Sequence, residues 1–334
     1  MAMPKANPYR PFKPDPQQVE RVPEISGNEI NGLGEAEFRR PKIVYWAPDP
    51  DDIPHGKLQR WFYSYNRDDP AFADTFANIR VWHREILDAP LPPLADDKRR
   101  MRPAEWTNAL SDFVGQGLCE QVGVTAMNKD WLFEGQDTPF SNIIVIGVQH
   151  IYEAIASAPL PKAGAEVMHQ YGRAALAAKV IAGWLREQGW DADPVTGPMA
   201  GKTTLIPPAL ACGFGELGKH GSLITPELGS SFRLAAVLTD APFEPTPPRE
   251  YGIDSFCMSC RVCEDACPPE AISPEKQTVR GETKWYVDFD KCLPFFNQTR
   301  GCAICIAVCP WSRPDVGVKL ADKLARRAER ADSS

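Results

Sequence analysis

Apolar positions along the chain recur with two periods. Between residues 163 and 188, Val167, Tyr171, Ala174, Ala175, Ala178, Ile181, Trp184 and Leu185 return every three or four places, the spacing of one helix face, and Gly189 supplies a stop. This register puts Tyr171 on the inward stripe. The stretch 70 to 87 carries Phe72, Phe76, Ile79, Trp82, His83 and Ile86 at the same spacing, and 105 to 122 repeats it, so two more amphipathic helices are predicted. The short apolar run 141 to 148, enriched in β-branched residues, predicts a buried strand, and 232 to 239 predicts another strand. A short helical piece over 207 to 212 leads into a glycine-rich segment, 213 to 221, where a backbone can approach a flat or anionic ligand closely. Residues 1 to 58 are rich in Pro, Gly, Asp and Asn with little periodicity and read as an extended segment wrapping a core. A charged helix with a solvated face is predicted over 318 to 330.

Cysteine spacing supplies the chemistry that periodicity lacks. Eight of the ten cysteines fall into two runs, Cys257-x2-Cys260-x2-Cys263-x3-Cys267-Pro268 and Cys292-x9-Cys302-x2-Cys305-x3-Cys309-Pro310. Three thiolates at x2 spacing wrap one corner of a cubane, and in two-cluster bacterial ferredoxins the last cysteine of each run ligates the other run's cluster. Cys257, Cys260, Cys263 and Cys309 are therefore assigned to one 4Fe-4S cluster, and Cys267, Cys292, Cys302 and Cys305 to a second. Zinc closes with four ligands and does not call for this doubled spacing. Electron transfer follows as the expected role. Cys119 and Cys212 lie outside the runs and read as buried thiols.

With 334 residues and 43% hydrophobic content the chain is long enough for a proper core, and the cysteine-rich stretch accounts for only a small part of it. The net charge is −7 and the basic residues are scattered, which argues against a nucleic-acid backbone as principal ligand. No run approaches the roughly 18 apolar residues of a membrane span. The opening Met1-Ala2-Met3-Pro4-Lys5 has no apolar core of a leader, and Arg39-Arg40-Pro41-Lys42 is a poor twin-arginine signal. No membrane association and a cytoplasmic location are expected, in keeping with reduced thiolate ligands.

The segment Ala209-Leu210-Ala211-Cys212-Gly213-Phe214-Gly215-Glu216-Leu217-Gly218-Lys219-His220-Gly221-Ser222-Leu223-Ile224-Thr225-Pro226-Glu227-Leu228-Gly229, followed by Phe232-Arg233-Leu234 and Val237-Leu238-Thr239-Asp240, resembles the cobalamin-dependent reductive dehalogenases. The paired cysteine runs and the closing Cys309-Pro310-Trp311 share the likeness, which covers roughly residues 110 to 315. Epoxyqueuosine reductases are relatives with the same cofactors. They carry an acidic proton donor in an Asp-Thr-Gly-Pro segment, whereas Val195-Thr196-Gly197-Pro198-Met199-Ala200 has no carboxylate there.

The resemblance implies an α/β (α+β) protein: a nitroreductase-like cobalamin-binding core and a C-terminal two-cluster ferredoxin-like domain. The expected division is a wrapping segment 1–58, a cobalamin-binding catalytic domain 59–249, a ferredoxin-like domain 250–315 and a terminal helix 316–334. Counting through the 163 to 188 helix, the family's proton-donating tyrosine lands on Tyr171 and the cation beside it on Arg233. An asparagine that some members place before the glycine block is not evident at Met199, Ala200 and Gly201.

None of His55, His83, His150, His169 and His220 sits in the Asp-x-His-x-x-Gly pattern that supplies a lower axial imidazole. As the dehalogenase resemblance implies, cobalamin is then expected base-off, held by Gly213, Phe214, Gly215, Glu216, Lys219, His220, Gly221, Ser222, Leu223 and Ile224. Trp46, Trp61, Phe62, Tyr63 and Trp82 are candidates for an apolar pocket wall. The reaction implied is removal of halide from a small organohalide, with electrons from an external donor such as a ferredoxin, a flavodoxin or a reductase. Two rivals stand beside it: an epoxyqueuosine reductase-like enzyme, and a non-enzymatic corrinoid or electron carrier needing neither Tyr171 nor a closed pocket.

Overall fold

The computed structural model describes residues 7–65, 69–197 and 201–332. The opening pentapeptide and the Pro198-Met199-Ala200 stretch lie outside them. Among the described residues eight strands form: β1 (Gln121–Ala126), β2 (Asn142–Gln149), β3 (Ala192–Val195), β4 (Glu216–Leu217), β5 (Leu223–Ile224), β6 (Phe232–Thr239), β7 (Gln277–Val279) and β8 (Glu282–Lys284). Four of them build one antiparallel sheet in the order β1-β2-β6-β3, while β4-β5 and β7-β8 are separate hairpins. Pro194, which has no N–H to donate, sits in β3 at the sheet's edge.

Because side chains alternate across a strand, β2 feeds two cores at once. Ile144, Ile146 and Val148 turn to one face, where Ala235 and Val237 of β6 join them beneath the Pro161–Glu187 helix. Ile143 and Val145 turn to the other, where Cys212, Phe214, Leu223 and Leu228 of the glycine-rich block cover the sheet. Ala174, Ala177, Ala178 and Ala182 are all buried in the first core, so small side chains let the long helix lie close on the strands. Gly189, at φ +79°, ends that helix region in the left-handed conformation, and a Cβ there would stand 2.3 Å from the Asp97 carbonyl oxygen.

The Pro103–Val114 helix closes the first core with Trp106, which is wholly buried against Trp184, Trp190 and Phe243 at ring separations of 5.7, 6.3 and 5.9 Å. Truncating such a residue to alanine costs about 3–5 kcal/mol. The helix expected over 105 to 122 thus ends early. Its apolar spacing continues through Leu118 and Val122, but Gly117 takes φ +91° and the chain re-forms as β1, pairing Val122 with Ile146. Tertiary pairing overrides the periodic signal.

The N-terminal residues wrap the cysteine-rich lobe. Arg10 donates to the carbonyls of Glu264 and Cys267, Gln18 to that of Pro294, and the Gly27 and Asn28 amides to the Asp290 carboxylate. The Gly56–Ser64 helix spans residue 58. At the other end, Leu320, Ala321 and Leu324 of the Gly317–Asp332 helix pack on Ile253, Cys257 and Trp311. This helix has one face in a core and its charged face in solvent.

Candidate active site and the cysteine cavities

Tyr171 rises from the long helix on its sheet-facing side, and Arg233 stands at the start of β6 opposite Val148. Sixty-two residues apart in sequence, they meet with the guanidinium carbon 4.7 Å from the phenol ring centroid. A cation over an aromatic face at this distance is attracted by the ring quadrupole. Burial, and then the neighbouring Tyr171, raises the Tyr63 hydroxyl above its ordinary pKa, so Tyr63 lies at the same place. Trp46 touches both Phe62 and Tyr63, at 5.1 and 6.0 Å, and Phe62 stacks on Phe296. Three of the five candidate wall residues therefore form one aromatic group beside Tyr171. The other two do not join it: Trp61 is buried against Tyr65, and Trp82 stacks on His169.

His150, which sequence reasoning left without a role, belongs to this site. Its Nδ1 lies 3.2 Å from Ser231 Oγ, and burial, assisted by the Arg233 charge, pushes its pKa down to about 2. The flanking backbone is held from both sides, Gln149 N donating to Glu120 and Ile151 N to Glu166. Only the three-dimensional pairing of β2 with β6 could have exposed this histidine, since no local motif surrounds it.

Four cysteines of the first predicted group face one cavity. Cys257, Cys260, Cys263 and Cys309 line it with Lys219, His220, Ile224, Phe256, Pro310 and Trp311. Burial above all, and then the nearby Cys309, Cys257 and Cys260, pushes the Cys263 thiol up to about 12. In the second group, burial and then Cys302 and Cys267 do the same to Cys292. Cys305 is raised by burial, then by Cys302, Cys292, Cys267 and Cys263, so the two groups adjoin through Cys305 and Cys263. A buried thiolate is costly without a compensating cation, which cluster iron supplies; the donor sets fit two cubanes. All ten cysteines are free of disulfides.

The glycine block lies between this cavity and the sheet, and most of its side chains are engaged within the protein. The Glu216 carboxylate accepts from the backbone N–H groups of Tyr251, Ile253 and Asp254, capping the Ile253–Ser259 helix that carries Cys257. Phe214, Leu223 and Ile224 are buried. A Cβ on Gly215 would stand 1.8 Å from the Ile224 carbonyl oxygen, so that glycine is required by the chain's own close approach. Gly213 likewise faces the Pro247 carbonyl. Lys219 is buried beside Glu264 at 3.6 Å, and His220, pushed down to about 4 by burial, accepts at Nδ1 from Ser222 N while its Nε2 has no partner among the described residues. Gly221 and Ser222 remain half-buried at the block's edge.

Fold and site together define an α+β sheet domain joined to a dicluster ferredoxin-like domain, and residues 256–312 match the family described as a 4Fe-4S dicluster domain. Comparison with known proteins finds similarity to reductive dehalogenases. The chain is 34% identical over 246 residues to the tetrachloroethene reductive dehalogenase of Dehalobacter restrictus, covering 70% of this chain and 43% of that protein. It is 25% identical over 342 residues to that of Sulfurospirillum multivorans, covering 88% and 65%. An epoxyqueuosine reductase from Synechococcus is 32% identical over 154 residues, 40% of this chain and 43% of that one. The fold matches a reductive dehalogenase whose structure was described as suggesting a mechanism for B12-dependent dehalogenation, with a TM-score of 0.72 at 21% identity over 87% of this chain and 45% of that one. The chain thus spans less than half the length of the first of these relatives.

Proposed function

We propose that this chain is a cobalamin-dependent reductive dehalogenase of small organohalides. The observation that carries the reading is the Arg233 guanidinium lying over the Tyr171 ring, on the same sheet whose other face holds the glycine block in front of the four-cysteine cavity. An epoxyqueuosine reductase would need an acid that residues 195–197 do not provide. A plain electron carrier would have no use for the pair.

The net reaction replaces a carbon–halogen bond by a carbon–hydrogen bond, consuming two electrons and one proton and releasing halide. Cobalamin, when bound, would supply the metal chemistry that cleaves the carbon–halogen bond. The unpaired Nε2 of His220 and the half-buried Gly221 and Ser222 suit its edge, while Gly213, Phe214, Gly215, Glu216, Lys219, Leu223 and Ile224 hold that surface from behind. Tyr171 delivers its hydroxyl proton to the carbon, and Arg233 stabilises the phenolate left behind. Cys257, Cys260, Cys263 and Cys309 ligate the cluster nearer the site, next to the block; Cys267, Cys292, Cys302 and Cys305 ligate the other. Electrons arrive from a separate protein donor. No helix among the described residues is long and apolar enough to cross a membrane, and we place the protein in the cytoplasm on its reduced thiolate ligands.

The test is a substrate panel on anaerobically reconstituted protein with iron and corrinoid measured: halogenated phenols and chlorinated ethenes against epoxyqueuosine-containing tRNA. Halide release from the first set is expected. Turnover of the tRNA alone, or of nothing with both cofactors loaded, would overturn the assignment.

A further inference from the structure

Two buried nitrogen atoms at the Tyr171 site lack partners among the described residues: Nε2 of His150 and Nε of Arg233. Leaving such groups unpaired is costly, the more so where one is charged, so their burial points to a group the protein chain does not itself provide. They share a surface. Val148 and His150 lie on one face of β2's line, Ser231 and Arg233 on the matching face of β6's line, and the two segments are joined by the Val148–Arg233 register and the His150 N to Ser231 O hydrogen bond of 2.9 Å.

The charge is unbalanced as well. Among the described residues Arg233 forms no ion pair, although two carboxylates flank the neighbouring segment. Glu120 is bound to Arg173 at 2.9 Å and to Gln149 N at 2.8 Å; Glu166 accepts from Ile151 N and Gln170 Nε2, each at 2.7 Å. Both acids are occupied in fixing the backbone on either side of His150, and neither neutralises Arg233. A partly buried guanidinium with no counter-charge calls for an anion. His150 is 4% exposed and uncharged. In the tautomer in which the Ser231 hydroxyl donates to Nδ1, 3.2 Å away, Nε2 carries the proton and offers a second donor.

We propose that His150 Nε2–H and Arg233 Nε–H together bind one monoanion beside the Tyr171 ring. Two sources have this chemistry: the halide that the reaction releases, and an oxyanion carried by the substrate. The choice between them rests on the function proposed above, but the existence of the site does not.

The experiment is isothermal titration of the cluster- and corrinoid-loaded protein with sodium bromide in one arm and sodium benzoate in the other, at constant ionic strength. Saturable binding of at least one anion is expected. His150→Leu, which removes the donor, should weaken it about 10- to 100-fold, the loss typical of a charge-assisted hydrogen bond, while His150→Gln, which restores an N–H, should recover most of the affinity. Ser231→Ala serves if His150→Leu fails to fold, and should weaken binding by freeing the ring's tautomer. Bromide binding alone assigns the site to the leaving group, and benzoate binding alone to an oxyanionic substrate. No saturable binding of either anion, or equal affinity in a folded His150→Leu or Ser231→Ala protein, would overturn the proposal. Because binding is read without turnover, a protein that binds the anion through His150 yet dehalogenates nothing upholds this site while the proposed reaction fails.

Discussion

Replacing Tyr171 by phenylalanine separates catalysis from architecture more cleanly than any other single change here. The ring stays, so the Arg233 guanidinium keeps an aromatic face at the 4.7 Å it now occupies. No hydrogen bond of the Tyr171 hydroxyl is found among the described residues, and the side chain is only half-buried, so losing the oxygen should change folding stability by no more than about 0.5 kcal/mol. The reaction should respond differently. A lost general acid lowers turnover by about 10²- to 10⁴-fold, equivalent to roughly 2.7–5.4 kcal/mol of barrier, several times the largest plausible effect on the fold. The assay is anaerobic halide release under saturating reductant, with iron and corrinoid content measured on the same samples and thermal unfolding run beside it. If Tyr171→Phe released halide at the wild-type rate with both cofactors loaded, the proton would come from elsewhere and the pairing with Arg233 would be structural.

Three further outcomes are expected. Cys309→Ser should damage the cluster built mainly by Cys257, Cys260 and Cys263, and Cys267→Ser the cluster of the second run; electron paramagnetic resonance of each reduced cluster reads this, and damage confined to each substitution's own run would refute the crossed assignment. The Ser230 hydroxyl hydrogen-bonds Cys309 and lies 2.8 Å from Ser312 Oγ; because hydrogen bonds to sulfur favour the reduced cluster, Ser230→Ala should make the adjacent cluster's reduction potential more negative in a redox titration, and an unchanged potential would sink that role. Glu216→Ala leaves three backbone donors around residues 251 to 254 without their acceptor, which should cost about 1–3 kcal/mol in chemical denaturation and increase iron loss on dilution; a variant as stable as wild type would show that water replaces the carboxylate without penalty.

What could be read in advance follows from how far apart the deciding residues stand. The 163 to 188 face and the two strand runs are local patterns, each satisfied within its own element, and they reappear as the Pro161–Glu187 helix, β2 and β6. The cysteine spacing is legible for the same reason, because the seven residues from Cys257 to Cys263 already carry three of the four thiolates expected for one cluster. β1 was not legible: its residues continue a helical period, and only pairing with β2 makes them a strand. Glu216 sits among glycines that suggest a ligand cradle, yet its partners are backbone amides some 35 residues onward, in the lobe that carries Cys257. His150 is an isolated histidine until Ser231 and Arg233 arrive from the neighbouring strand. The turn that brings them also explains how two centres can share so short a stretch. Gly229 takes φ +62° with a Cβ position only 2.3 Å from the Trp311 carbonyl, which presses the turn against the cysteine lobe. From there Ser230 faces Cys309, and the next residue, Ser231, faces His150. Consecutive serines entering an extended strand point to opposite sides, so one peptide unit separates a side chain on Cys309, a proposed cluster ligand, from one on the proposed anion site. The same alternation that gives the sheet its two cores thus turns Ser230 toward Cys309 and Ser231 toward His150.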